Sequence, residues 1–103
     1  MTNIEFSEIF NNHNTSTFSQ RTTSARQGII KNRLLPRYGS KEIRDTSYID
    51  INSIYDEIEE EGLSQNTLFG CYAALSCYFS LAVELNEAEE NPVSLARPVR
   101  PEL

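Results

Sequence analysis

Apolar residues recur at helical spacing along nearly the whole chain, and no segment alternates as a strand would. From about Asn3 to His13, the residues Phe6, Ile9, Phe10 and His13 keep the i, i+3, i+4, i+7 order of one helical face. The overlapping stretch NNHNTST consists of small polar residues that favour turns, which predicts that the first helix breaks there. A second helix is predicted from Ser19, a suitable N-cap, to Leu35, because Pro36 cannot donate the next helical hydrogen bond and Gly39 marks a turn. Its apolar residues Ala25, Ile29, Ile30, Leu34 and Leu35 form no single stripe, so this helix should touch neighbours on more than one side. A third helix runs from about Ser47 to Glu61, with Ile51, Ile54, Tyr55 and Ile58 on one face, acids on the other, and Gly62 as its stop. The fourth and longest runs from about Gln65 to Leu85 behind an N-cap at Ser64, with Leu68, Cys71, Tyr72, Leu75, Phe79 and Ala82 in a sustained stripe. Asn91-Pro92 closes the helical region, and the proline-containing tail VSLARPVRPEL reads as an extended linker. The expected fold is therefore all-α, a bundle of four helices in which the third and fourth pair as a helical hairpin.

Composition narrows the classes further. At 103 residues, 39% of them apolar, the chain is long enough for one domain with a modest core and too apolar to be disordered throughout. No run approaches the ~18 apolar residues of a transmembrane helix, and the N-terminus lacks the pattern of a secretory signal, so a cytoplasmic location without a membrane partner is expected. Cys71 and Cys77, six residues apart on one helix, would sit about 9 Å apart along its axis, too far to bridge. They are expected to be free thiols. Neither a phosphate-binding glycine loop nor a zinc spacing occurs, so no cofactor and no metal are expected. His13 stands alone, without the partners a base or ligand would need.

The net charge of −6 argues against nucleic acid until it is resolved by segment. Residues 21–44 hold seven basic residues (Arg21, Arg26, Lys31, Arg33, Arg37, Lys41, Arg44) and one acid, Glu42. Residues 45–96 hold eleven acids and no Lys or Arg. Such asymmetry hints at a nucleic-acid or membrane face, although a basic helix is often no more than a solvated one, and this one is too weakly amphipathic for a membrane surface. Arg26 and Arg33, seven apart, are expected on one stripe with Thr22, and Lys31 off it.

The order and spacing of several short motifs resemble the core-binding domain of tyrosine recombinases, the phage-integrase family. The pieces are Gly62, Leu63, Ser64 and Thr67 opening the long helix; Ala74 and Leu75; Phe79, Ala82 and Val83; and Asn91 with Pro92. Upstream, Thr22 and the run Leu34, Leu35, Pro36, Tyr38 and Gly39 resemble the preceding helix and its turn. The resemblance covers about residues 4–96. It implies a SAM-like four-helix domain over residues 1–96, residues 97–103 as the start of an interdomain linker, and a half-clamp whose second and fourth helices face duplex DNA. It also implies that the catalytic arginines, histidine and nucleophilic tyrosine belong to a separate C-terminal domain outside this sequence, so that the chain reads as a non-catalytic part of an integrase of bacterial, phage or mobile-element origin. Tyr55 and Tyr72 lie on apolar stripes, which fits core positions better than strand cleavage.

On this reading the partners are double-stranded DNA at a recombination core site, the catalytic domain, and other recombinase protomers in a synaptic complex. Arg21, Thr22, Arg26, Lys31 and Arg33 would contact phosphates, and Gln65, Asn66 and Thr67 would face DNA from the start of the fourth helix. For Ser64 helix capping is the preferred role, and for Asn66 and Thr67 capping and DNA contact weigh about evenly. The family's usual basic residues on the fourth helix are missing, with Phe69, Gly70 and Ser76 in their place. Binding is expected to be weak and to fall by a few orders of magnitude between ~50 and ~200 mM salt if four to six phosphates are neutralised. The rival is an acidic helical protein–protein interaction module with no affinity for DNA.

Overall fold

The computed structural model describes residues 1–17 and 19–100, with the backbone alone for Thr15, Ser16, Thr17 and Gln20. Its described residues form an all-α bundle. Helix α1 spans Asn3–Thr17. Helix α2 begins as Gln20–Ile29, widens into a π-helical turn at Ile30–Leu34 and ends with an α turn at Leu35–Tyr38. A 3-10 turn at Ile43–Asp45 leads to α3, Tyr48–Glu60, and α4 spans Gln65–Glu84. A last 3-10 turn, Pro92–Ser94, precedes an irregular tail.

Two expectations about helix ends are corrected. The first helix does not break at NNHNTST but continues to Thr17. Its buried face is Asn3, Phe6, Ser7, Phe10 and Asn14, whereas His13 is exposed. Burial of Phe10, with the Thr23 hydroxyl of α2 donating to the Asn14 carbonyl at 3.0 Å, thus overrides the weak helical propensity of the polar run. The second helix also runs past Pro36, to Tyr38. The backbone N–H of Leu35 reaches back to the carbonyl of Ile30, five residues earlier. This wider turn changes which carbonyl faces the proline ring and lets a residue without an N–H be carried inside the helix.

The caps form as the sequence suggests. Ser19 accepts from the Thr22 N–H and Ser64 from the Thr67 N–H, while Ser47 and Asp50 make a reciprocal capping box on α3. Gly62 adopts φ 73°, where a side chain would be strained, and lets α3 turn into α4 in four residues.

The core gathers Phe6 and Phe10 from α1, Ile30 and Leu34 from α2, Ile51, Ile54, Tyr55 and Ile58 from α3, and Leu68, Cys71, Leu75, Tyr78, Phe79 and Ala82 from α4. Tyr78 is its hub. Its ring makes edge contacts with Phe6, Phe10 and Phe79 at centroid distances of 5.1, 5.1 and 4.9 Å. Its hydroxyl donates to Asn3 Oδ1 at 2.9 Å, and Asn3 Nδ2 donates to the Tyr38 carbonyl (3.0 Å) and to Thr46 Oγ1 (2.9 Å). One buried amide therefore ties α1 to α4, to the end of α2 and to the α2–α3 connection. Close packing there explains Gly39, where a Cβ would lie 2.6 Å from the Leu35 carbonyl oxygen and 2.9 Å from Ile4.

Helix α4 is long and apolar enough, by length and composition, to cross a bilayer. Here its apolar side is spent inside the bundle, with eight of its residues buried. The tail is irregular, as expected of a linker, but docked. Val93 and Val99 are buried, the Arg97 N–H donates to Asn52 Oδ1 at 2.9 Å, and the Arg97 guanidinium reaches Asp56 at 2.6 Å and Glu59 at 2.7 Å. Residues 101–103 of the expected linker lie outside the described residues.

Candidate nucleic-acid interface

The basic residues divide at the π turn. Arg33 pairs with Glu57 at 3.4 Å and with Glu61, whose hydrogen bond is the main cause raising the guanidinium pKa above its ordinary value. Arg37 pairs with Glu57 at 3.0 Å, and Lys41 with Asp50 at 2.7 Å. Much of the acidic surface of α3 is therefore matched by cations from the second half of α2 and the connection after it. Arg21 and Lys31 are exposed and form no ion pair among the described residues. Arg26 is half-buried and points its guanidinium at Cys77 Sγ on α4, at 3.3 Å.

Two shallow grooves flank α2, one against α4 and the other against the end of α3 and the first turn of α4. One, of about 330 Å³, is lined by Arg21, Thr22, Ala25, Arg26 and Ile29 from α2 and by Gly70, Ala73 and Ala74 from α4. The other, of about 600 Å³, is lined by Ser24, Gly28, Asn32, Arg33, Glu57, Glu61 and Thr67, among others. Small residues keep both open: a Cβ added at Gly28 or Gly70 would meet nothing within 4 Å. The first groove, open, shallow and rimmed by Arg21 and Arg26, suits an extended polyanion better than a small molecule, which needs a deeper and more enclosed site, whereas the second carries the acids Glu57 and Glu61 beside Arg33.

The predicted residues fall into four groups. Arg21, Thr22 and Arg26 come together on the first groove. Arg33 and Thr67 line the second, Arg33 already engaged by two carboxylates and Thr67 held in the N-cap, its Oγ1 3.1 Å from Ser64 Oγ. Lys31 and Asn66 are exposed and line neither groove. Gln65 is taken up in a way the sequence did not announce: its Nε2 donates to the Arg100 carbonyl at 2.8 Å. Reading the tail as a linker leaves its arginines, Arg97 and Arg100, out of the site. The available signal was the apolar pair Val93 and Val99, which an undocked linker would leave wet.

The tyrosines are placed by packing. Tyr55 and Tyr78 are fully buried, and burial raises both phenols above their ordinary pKa. Tyr72 and Tyr38 are half-buried and Tyr48 is exposed. Among the described residues, no group of three or more His, Cys, Asp or Glu could hold a metal ion.

No protein-family model matches the chain, and no curated protein matches it by sequence. Among solved structures it is similar to the solution NMR structure of an integrase-like domain from Bacillus cereus. The TM-score is 0.84, over 99% of this chain and 85% of that one, at 17% sequence identity. The chain thus has an integrase-like all-α fold.

Proposed function

We propose that this chain is a DNA-binding module of the kind that tyrosine recombinases use to hold core-site duplex while a separate catalytic domain exchanges strands. The observation that carries the reading is the split among the cations. Arg33, Arg37 and Lys41 are matched by acids of α3, while Arg21 and Lys31 have no ionic partner among the described residues and share α2 with Arg26 beside an open α2–α4 groove. The resemblance to the core-binding domain implies the same orientation, with α2 and α4 toward DNA, and the integrase-like fold is compatible with it. Arg21, Arg26 and Lys31 make the phosphate contacts, and Thr22 and Asn66 add neutral hydrogen bonds. Phosphate contacts set register and affinity, so the module positions more than it selects sequence. The DNA-cleaving chemistry, the synaptic partners and the cytoplasmic site of action belong to the same proposal.

Fluorescence anisotropy with a labelled duplex tests it. Three neutralised phosphates predict a slope of about −3 in log K against log salt. Replacing Arg21, Arg26 and Lys31 together by Ala should abolish most of the affinity. Affinity and slope unchanged in that triple variant would sink the assignment, and no binding even at ~50 mM salt would leave the acidic interaction module as the better reading.

A further inference from the structure

We infer that the tail is part of the DNA-facing surface: Arg100 delivers to the start of α4 a positive charge that this helix does not itself carry. The inference rests on the proposed DNA-binding role. Helix α4 has no Lys or Arg anywhere along Gln65–Glu84. Its first turn is nevertheless exposed from Gln65 to Thr67 and adjoins the second groove, between α2 and the end of α3, through Thr67. The last described residue of the tail lies against that turn, because the Gln65 side chain donates to the Arg100 carbonyl at 2.8 Å. The Arg100 side chain is exposed and forms no ion pair among the described residues.

Three further contacts hold this placement. Val99 is 8% exposed and joins the core. The Arg97 backbone N–H is bound by Asn52, and its guanidinium spans Asp56 and Glu59 while lying 5.6 Å from the centroid of the Tyr55 ring. Arg97 thus offsets two α3 acids that would repel a polyanion and fixes the segment that carries Arg100. It is a positioning residue, whereas Arg100 contacts the phosphate.

The test is duplex binding by the full chain over a salt series, comparing wild type with Arg100→Gln, Arg97→Ala, Arg21→Ala/Lys31→Ala and Arg44→Gln. Arg44 is an exposed cation at the opposite end of α4, in the cavity lined by Ala88, Pro92 and Leu95, so it controls for charge alone. The inference expects Arg100→Gln to weaken binding several-fold and to flatten the salt slope by about one unit. Arg97→Ala should do the same and also shift the Gln65 side-chain amide resonances in an NMR spectrum of the free protein. Arg44→Gln should bind as wild type. Wild-type affinity and slope for Arg100→Gln, alongside a loss in the α2 double variant, would overturn this inference and leave the DNA-binding reading standing. Equal losses in Arg44→Gln and Arg100→Gln would overturn it as well, since charge alone would then explain the effect. No duplex binding by any variant, wild type included, would overturn both.

Discussion

The cations Arg21, Arg26 and Lys31 and the cations Arg33, Arg37 and Lys41 carry the same charge on neighbouring stretches of chain, yet the two sets meet different fates. Arg33, Arg37 and Lys41 cross to Glu57, Glu61 and Asp50. Arg21 and Lys31 stay exposed, and Arg26 turns to Cys77 on α4. A run of basic residues is therefore not one feature. The π turn at Ile30–Leu34 lies where the two sets separate. The sharpest way to break the comparison is to delete each set in turn. Arg21→Ala/Lys31→Ala should cost about tenfold to a hundredfold in duplex affinity at low salt and leave the thermal midpoint within a degree or two. Arg33→Ala/Arg37→Ala should do the reverse: affinity near wild type, and stability lower by about 1 kcal/mol, because these pairs are partly exposed and screened. A DNA loss shared equally by both double variants would erase the distinction.

A milder perturbation acts on the acid that joins the second set. Glu57 accepts from both Arg33 and Arg37. Glu57→Gln removes one repulsive charge and loosens two cations beside the groove. Duplex affinity should rise a few-fold while stability falls by up to about 1 kcal/mol. Anisotropy and denaturant unfolding on the same sample read both effects, and weaker binding would place this edge of the groove outside the DNA face.

Much of the fold is legible from local rules. Ser47, Ser64 and Gly62 mark helix ends that the structure keeps, and Ile51, Ile54, Tyr55 and Ile58 are all buried as their spacing requires. What escapes is what depends on distant neighbours. The polar end of α1 stays helical because Phe10 is buried in the core and Thr23 of α2 donates to the Asn14 carbonyl. Pro36 stays inside α2 because the turn before it is wide. For the site, the sequence names the cations but not their partners, since pairing Arg33 with Glu57 joins residues 24 positions apart. The contact between Gln65 and Arg100, 35 positions apart, is hidden for the same reason.

Helix α4 offers a second contrast, between its core and groove faces, through one thiol on each. Cys71 is 1% exposed, and burial pushes its pKa up from 9.0 to about 12. A folded-state pKa raised in this way contributes stability that is fully present below pH 9.0 and is lost as pH rises toward about 12, because only the unfolded thiol ionises across that window. Tyr55 and Tyr78, also raised by burial, add losses of the same sign at still higher pH. Denaturant midpoints measured from about pH 8 to about pH 11 should fall steadily, and Cys71→Ala should flatten the first part of that fall. A midpoint independent of pH over this range would mean that the core-face thiol ionises as freely folded as unfolded.

Cys77 is the smaller and more local probe. It is half-buried on the groove face, with the Arg26 guanidinium 3.3 Å from its sulfur. A thiol reagent at mildly alkaline pH should therefore modify Cys77 first and reach Cys71 only on unfolding, because reaction needs both access and thiolate. If α2 and α4 together face the duplex, saturating DNA should slow the Cys77 reaction and leave the unfolding-limited Cys71 reaction unchanged. Arg21→Ala/Lys31→Ala, which weakens the complex, should restore the free rate at the same DNA concentration. Protection that persists in that variant under conditions where anisotropy shows no complex would mean that the thiol senses something other than bound duplex. An unprotected Cys77 in a fully formed complex would move the DNA off this groove altogether.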